Sequence, residues 1–314
     1  MIPPNETFDG TFPYQPRFNE AAGFRMHYVD AGPTDASVIL CLHGEPTWGY
    51  LFRPLIGSLS GRYRVVVPDH MGFGKSETPP DRTYWLQDHI DNLEHFVLSL
   101  DLRGITLVMH DFGGAVGMGI AARHPDRIDR IIAVNGPTPF GQAGLLERLT
   151  ANTADSPWFQ WIFQAQSQGR LETVLGELGF SMLSTLKLNG FENTGVISDT
   201  WLRAYGSRFA HPADCLGPIG WAKGFAAGEH RFEEPDAVAK RDIQSRPALA
   251  IWGMADRTLG ANHFLPLFEE LFPSAAVHKL AGVGHYSFED APEAIGSIIS
   301  AFLVETELSP QSLP

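Results

Sequence analysis

The sequence has few cysteines, no concentrated positive charge and no long apolar run. Two of its 314 residues are cysteines, which excludes the disulfide framework of small secreted proteins. The net charge is −13 without a basic cluster, so we expect no nucleic-acid partner, because phosphate backbones require a concentrated cationic face. No apolar stretch approaches the length of a membrane span, and the N-terminal residues do not resemble a signal peptide. We therefore expect a cytoplasmic protein with no membrane partner.

Hydrophobic residues make up 44% of the chain, which is enough for a large buried core. Continuous apolar runs alternate with helical patterns, and this alternation predicts an α/β fold with a doubly wound, mostly parallel sheet. Continuous apolarity is typical of strands that are buried on both faces. The runs are "SVILCLHG" (37–44), "YRVVVPDHMGFG" (63–74), "ITLVMHD" (105–111), "RIIAVNG" (130–136) and "ALAIWGMADR" (248–257).

The alternation stops between Pro137 and Pro235, where the chain is rich in aromatic residues and has no convincing strand pattern. We interpret this stretch as a helical cap inserted over the carboxyl edge of the sheet, where ligands of such sheets bind. The predicted division is a first part of the core over 1–136, the cap over 137–235 and a second part of the core over 236–314. The last residues, "ELSPQSLP", are predicted to be a frayed tail.

Three polar residues follow predicted strands in the order Asp111, Asp256 and His285, which is the chain order of the nucleophile, acid and histidine in α/β hydrolases. Asp111 lies in "VMHDFGGA", at the point of a strand–turn–helix where hydrolases place a serine. Each residue also has a simpler interpretation. Either aspartate is a good helix N-cap, and a single histidine is more often structural.

An aspartate nucleophile suits a saturated carbon. A carboxylate is already anionic at neutral pH, so it can displace a leaving group and form an ester with the substrate. His285 would then activate the water that attacks the ester carbonyl. The backbone N–H groups of Glu45 and Phe112 are the expected oxyanion donors. The Glu45 side chain is interpreted as a structural charge, because a carboxylate would repel a departing anion.

The segments "HGEPTWGYLFRPLI", "PDHMGFGKS", "HDFGGAVG", "GMADRTLG" and "GVGHYSFED" together resemble the haloalkane dehalogenases of the α/β-hydrolase superfamily. The resemblance covers about residues 20 to 304 and is strongest in these motifs. It implies the α/β-hydrolase fold and a hydrolase that acts on a small apolar substrate with water, without a metal or organic cofactor. It also implies a catalytic acid after the late strand, at Asp256, rather than near Asn135.

One position departs from that family. The residue after the nucleophile is usually a tryptophan whose N–H holds the halide, and here it is Phe112. The second residue that holds the halide in that family is a tryptophan or asparagine. Position 45 is glutamate here, so a second halide donor would have to come from the predicted cap. Each aromatic candidate is also explained by packing. The candidates for the substrate or halide pocket are Trp158, Trp161, Trp201, Tyr205 and Trp221.

The sequence therefore favours hydrolysis of a carbon–halogen bond through an ester on Asp111. Epoxide opening is an alternative, but that family usually uses a pair of cap tyrosines and Tyr205 is the only tyrosine between 137 and 235. Another alternative is a lactone or other biosynthetic intermediate, which Phe112 would fit because no halide is held. A non-catalytic binding protein is disfavoured, because it would not need all three triad residues.

Overall fold

A computed structural model describes residues 2–308, and its strands form one eight-stranded sheet in the order β1-β2-β4-β3-β5-β6-β7-β8. The strands from β3 to β8 pair in parallel, while β1 and β2 add an antiparallel edge. The predicted α/β class with a mostly parallel sheet is confirmed. The strands are β1 (Arg17–Asn19), β2 (Met26–Ala31), β3 (Val38–Leu42), β4 (Arg64–Pro68), β5 (Ile105–His110), β6 (Ile128–Val134), β7 (Ala248–Gly253) and β8 (Ala276–Leu280).

Helices cover the sheet. Every residue of β3, β5 and β7 is buried, as their continuous apolar runs predict. The helices are α1 (Arg53–Leu59), α2 (Leu86–Ser99), α3 (Gly113–Arg123), α4 (Leu145–Asp155), α5 (Pro157–Ser167), α6 (Leu171–Leu175), α7 (Leu178–Asn189), α8 (Asp199–Gly206), α9 (Leu216–Ala227), α10 (Ala237–Gln244), α11 (Ala261–Leu271), α12 (Ser287–Asp290) and α13 (Pro292–Leu308).

Residues 135–247, all of which are described, form helices and loops without a strand. Helices α4, α5, α6 and α9 pack on one another, whereas α10 packs on α3. The division into core and cap stays a prediction. Within residues 2–308, no helix combines the length and apolarity that a membrane crossing requires. Of the predicted frayed tail, Glu307 and Leu308 instead form the end of α13, and the remaining residues lie outside the described part of the chain.

Glu289 fixes α8 to the rest of the molecule. This carboxylate is buried and accepts hydrogen bonds from the Trp201 indole at 3.1 Å and the Tyr205 hydroxyl at 2.6 Å. Arg53 donates to both of its oxygens. The Trp48 indole donates to the carbonyl of Ala204 on the same helix, at 2.8 Å. These hydrogen bonds satisfy buried polar groups of α8 and of the residues that it contacts, so they fix the position of the helix.

Candidate active site

Asp111 occupies a sharp turn between β5 and α3. Its φ is +53°, in the left-handed region that a residue with a side chain rarely adopts. A Cβ at Gly44 would lie 2.2 Å from the Asp111 side chain, and one at Gly113 would lie 2.4 Å from the carbonyl oxygen of Leu42. Glycine is therefore required at both positions. Backbone strain of this kind is concentrated at functional sites.

The turn brings together the three residues that the sequence predicted as a triad. His285 Nε2 lies 3.3 Å from Asp111 Oδ2, and His285 Nδ1 lies 2.9 Å from Asp256 Oδ2. The other carboxylate oxygen of Asp256 accepts the backbone N–H groups of Thr258 and Leu259 at 2.7 and 2.9 Å. The imidazole is fully buried between the two carboxylates, which fix its orientation.

The electrostatics favour a charged pair before any substrate binds. Burial alone would lower the pKa of His285, but the charge of Asp256 and the hydrogen bond to Asp111 raise it to about 10. Burial alone would raise the pKa of Asp111, but its hydrogen bond and attraction to His285 lower it. Converting Asp111 to a neutral ester would remove one of these two anions. The His285 pKa would then fall, which suits a general base in a second step.

Both backbone donors expected from the sequence meet the Asp111 carboxylate. The N–H of Glu45 donates to Asp111 Oδ1 at 2.7 Å. The backbone N–H of Phe112 also contributes to the lowered pKa of Asp111, after the larger effects of burial and His285. Oδ1 therefore lies where the carbonyl oxygen of an ester would be stabilised as it becomes an oxyanion.

The Glu45 side chain does not behave as a structural charge. It is buried, and neither carboxyl oxygen has a hydrogen-bond partner among the described residues. Burial, followed by repulsion from Asp111, raises its pKa well above the usual range. Burial and the neighbouring charge of Asp111 therefore both favour the protonated form of Glu45.

Sequence reasoning missed two residues that hold the triad. Asn135, directly after β6, donates to Asp256 Oδ2 at 2.7 Å and accepts the N–H of Gly253 at 2.9 Å. Its φ is +45°, and an Asn-Gly pair at a strand end indicates such a turn, because asparagine tolerates the left-handed region. His110 Nε2 donates to the carbonyl of His285 at 2.8 Å, and burial keeps it neutral by lowering its pKa to about 4.

The Asp111 carboxylate faces a cavity of about 800 Å³ between the sheet and the helices of 137–235. Its wall is mainly apolar, as is usual for small-molecule sites. Phe112 and Trp221 line it as a stacked pair whose ring centres lie 4.2 Å apart. Apolar residues that also line it are Leu86, Ala115, Leu145, Leu149, Trp158, Phe159, Phe225 and Phe264.

The structure brings Trp158 and Trp221 to this cavity but not the other three aromatic candidates. Trp161 stacks on Trp158 at 5.1 Å, behind the wall. Trp201 and Tyr205 direct their polar atoms to Glu289 instead, because a buried indole or phenol needs a hydrogen-bond partner. Their proposed place in the pocket is therefore corrected. No group of three or more His, Cys, Asp or Glu side chains within residues 2–308 is arranged to hold a metal ion.

Residues 37–292 match the family model described as the alpha/beta hydrolase fold. A cis-3-alkyl-4-alkyloxetan-2-one decarboxylase of Shewanella oneidensis is 31% identical over 95% of this chain and 91% of that protein. Haloalkane dehalogenase 2 of Mycobacterium bovis is 27% identical over 92% of this chain and 94% of that protein. A solved structure of a loop variant of the haloalkane dehalogenase DbeA from Bradyrhizobium elkanii has a TM-score of 0.75 and 23% identity, and the match covers 94% of this chain and 97% of that one.

These similarities extend over nearly the whole chain and agree with the sheet order and the motifs. The chain is an enzyme that belongs to the α/β-hydrolase superfamily. The fold predicted from the sequence is therefore confirmed, and haloalkane dehalogenases, which the sequence resembles, are among the proteins similar to this chain.

Proposed function

From this family membership, we propose that Asp111 displaces a leaving group from a saturated carbon of a small apolar substrate and forms an alkyl ester with it. The position of Asp111 supports this most directly. Its carboxylate is anionic, its φ is +53°, and Oδ2 lies 3.3 Å from His285 Nε2. A helix cap would require neither the strained backbone nor the buried histidine. The helices of 137–235 would act as the cap that excludes water from this reaction.

We further propose that the leaving group is the ring carboxylate of a four-membered lactone, a cis-3,4-dialkyloxetan-2-one. Phe112 supports an oxygen leaving group, because its ring has no N–H to hold a halide. The cavity of about 800 Å³ is large enough for two alkyl chains. The decarboxylase of Shewanella oneidensis, which is similar to this chain over 95% of its length, is named for such a substrate.

The reaction balances without water. An Asp111 oxygen bonds to ring carbon C4, and the C4–O1 bond breaks with its electron pair remaining on the new carboxylate. The C2–C3 bond then breaks, and its electrons form the C3=C4 double bond. The C4–O bond to Asp111 breaks at the same time, which returns the electron pair to the aspartate. Carbon dioxide and an alkene leave. Inversion at C4 followed by anti elimination gives the cis alkene from the cis lactone.

Hydrolysis of an alkyl halide is a second candidate, as the sequence favoured. Trp221 supports it, because this residue lines the cavity against Phe112 and no hydrogen bond from its indole N–H to another described residue is found. In this reaction the halide leaves, and water activated by His285 attacks the Asp111 ester carbonyl. The alcohol is released and Asp111 is regenerated.

One experiment tests both candidates. The purified enzyme is incubated with a cis-3,4-dialkyloxetan-2-one, and alkene and carbon dioxide are measured by gas chromatography. Bromide release is measured in parallel with 1-bromohexane. We expect alkene from the lactone, and none from the Asp111→Asn variant. Bromide release without lactone turnover would establish the second candidate instead. A fully active Asp111→Asn variant would contradict both.

A further inference from the structure

The Glu45 side chain is a buried polar group beside Asp111 that the steps above do not use. The residue is 5% exposed and contributes to the wall of the cavity that holds Asp111. Neither carboxyl oxygen has a partner within residues 2–308. A buried polar group without a partner costs about 1–3 kcal/mol. Such a cost at a cavity wall indicates that a ligand supplies the partner.

A second unsatisfied atom lies on the same wall. Asn189 Oδ1 is buried without a partner in the described chain, and Asn189 lines the cavity. Its Nδ2 donates to the Tyr286 hydroxyl at 2.9 Å, and that hydroxyl donates to the carbonyl of Glu45 at 3.4 Å. Glu45 and Asn189 therefore belong to one connected cluster. Two unsatisfied groups in one cluster mark this part of an otherwise apolar wall as the place for a polar group of the substrate.

The cavity offers little positive charge to a departing anion. Arg231 is the only Lys or Arg among the described lining residues. Its guanidinium donates hydrogen bonds to the carbonyl oxygens of Gly228 and His230. His230 is neutral, because burial lowers its pKa to about 4. His285, whose pKa is raised, is held between Asp111 and Asp256 and does not line the cavity. An anion released into the cavity therefore depends on neutral hydrogen-bond donors of the wall.

We propose that Glu45, as a neutral carboxylic acid, donates a hydrogen bond to the carboxylate oxygen that leaves the substrate, and so favours lactones over halides. The proton stays on Glu45 throughout. Both oxygens are shielded from solvent in the free enzyme, so the side chain reaches the leaving oxygen by rotating about its CH₂ torsions when the substrate fills the cavity. This inference rests on the proposed displacement by Asp111, and it concerns the side chain of Glu45, not its backbone N–H.

Two variants isolate the donor. Glu45→Gln keeps the size and a neutral donor, whereas Glu45→Met keeps the approximate size without a donor. Both retain the backbone N–H that binds Asp111 Oδ1. Glu172→Gln is the matched control, because Glu172 is exposed and pairs with Lys223 on the surface. Two quantities are measured for each protein: the single-turnover rate of lactone opening as a function of pH, and the affinity for hexanoate, a carboxylate that mimics the leaving group.

We expect Glu45→Met to slow lactone opening about 100-fold, the usual effect of losing one donor to a developing oxyanion. The loss should be in kcat more than in KM, and hexanoate binding should weaken. Glu45→Gln should stay within about tenfold of the wild type. It should also lose the fall in rate at high pH that deprotonation of Glu45 causes in the wild type. Glu172→Gln should change neither quantity.

Three results would overturn the role of Glu45. They are wild-type behaviour of a folded Glu45→Met variant, equal impairment of the Gln and Met variants, and no hexanoate binding by the wild type. If Glu45→Met does not fold, a Glu45→Gln variant that keeps the wild-type fall in rate at high pH overturns the role. Hexanoate binding that depends on Glu45, without any lactone opening, would contradict the proposed function while showing that Glu45 binds a carboxylate.

Discussion

The backbone N–H of Glu45 donates a 2.7 Å hydrogen bond to Oδ1 of Asp111. The donor that would stabilise an oxyanion thus already holds the proposed nucleophile. It directs Oδ1 toward the turn after β3 and leaves Oδ2 on the side of His285. After the proposed alkylation of Oδ2, Oδ1 would become the ester carbonyl oxygen and would stay on the same donor. Little rearrangement is then needed between the first step and the second.

His285→Gln should separate the two candidate substrates. With 1-bromohexane, the variant should form the Asp111 ester and stall, because no base activates water. The intact-protein mass should rise by that of one hexyl group. With the lactone, alkene should still form, because fragmentation of the ester consumes no water. A folded variant that shows neither a mass increase nor alkene would exclude an alkyl ester on Asp111.

Isotope labelling should show where water attacks. In a single turnover of 1-bromohexane in ¹⁸O-water, with enzyme in excess, the alcohol should be unlabelled and Asp111 should carry the heavy oxygen. The reason is that the alcohol takes its oxygen from the carboxylate. Lactone turnover to alkene should leave Asp111 unlabelled, because no water attacks it. Mass spectrometry of the peptide that contains "HDFGG" makes the measurement. Label in the first alcohol would mean direct attack by water and an Asp111 that is only a helix cap.

Gly44→Ala should abolish activity by displacing the nucleophile. The new Cβ would lie 2.2 Å from Asp111 Cβ and Oδ1, so Asp111 or the turn after β3 must move. We expect the free energy of unfolding to fall by about 1–3 kcal/mol, as for other overpacked sites. Gly61→Ala is the matched control, because a Cβ there would meet no atom within 4 Å. Turnover and urea unfolding of both variants are compared. Equal activity of the two would contradict the predicted role of this close approach.

Phe112→Trp tests the halide candidate. The indole would add one N–H beside Asp111, and one hydrogen bond of about 1 kcal/mol would tighten iodide binding by about fivefold. The larger ring must fit against Trp221, whose ring centre lies 4.2 Å away, so the melting temperature should fall. Phe159→Trp is the control, because it adds an indole elsewhere on the cavity wall. Fluorescence quenching by iodide reports the affinity. No gain specific to position 112 would count against a halide leaving group.

Buried neutral histidines should make the fold sensitive to acid. Burial lowers the pKa of His89 to about 3, and neither of its ring nitrogens has a hydrogen-bond partner among the described residues. In the unfolded chain this ring binds a proton below about pH 6.5, but the folded protein excludes it, so stability falls as the pH drops below that value. Between pH 7 and pH 5, His89 alone should lower the free energy of unfolding by about 2 kcal/mol.

His89→Leu should therefore lose less stability between pH 7 and pH 5 than the wild type. Urea unfolding at the two pH values measures the difference. His95→Leu is the control, because His95 is exposed and its ring stays in contact with water. His285 contributes in the opposite direction. Its pKa is raised to about 10, so its contribution is present below pH 6.5 and is lost as the pH rises through 10. An equal acid sensitivity of His89→Leu and the wild type would refute the role of His89.

The apolar patterns of the sequence predicted the central strands of the sheet well and its edge strands poorly. Strands β3 and β5 are continuous apolar runs because helices cover both faces. The edge strand β8 (Ala276–Leu280) has no such run, since none of its residues is fully buried and two of them are His278 and Lys279. Pattern reasoning did not identify it for that reason. The short antiparallel strand β1 carries equally little apolar pattern and was missed as well.

The sequence by itself determined the superfamily and the central strands of the sheet, and it predicted the three residues that meet at the turn after β5, because motifs and apolar runs consist of residues adjacent in the chain. Tertiary structure alone decided the rest. Trp158 and Trp221 line the cavity, whereas the Trp201 indole donates a hydrogen bond to Glu289. The fold also brings Asn135 into a hydrogen bond with Asp256, which lies 121 positions away in the sequence. It also raised the pKa of Glu45, since burial beside Asp111 removes the water that would stabilise its charge. Burial and partners distant in sequence set these properties, and local pattern carries no information about either.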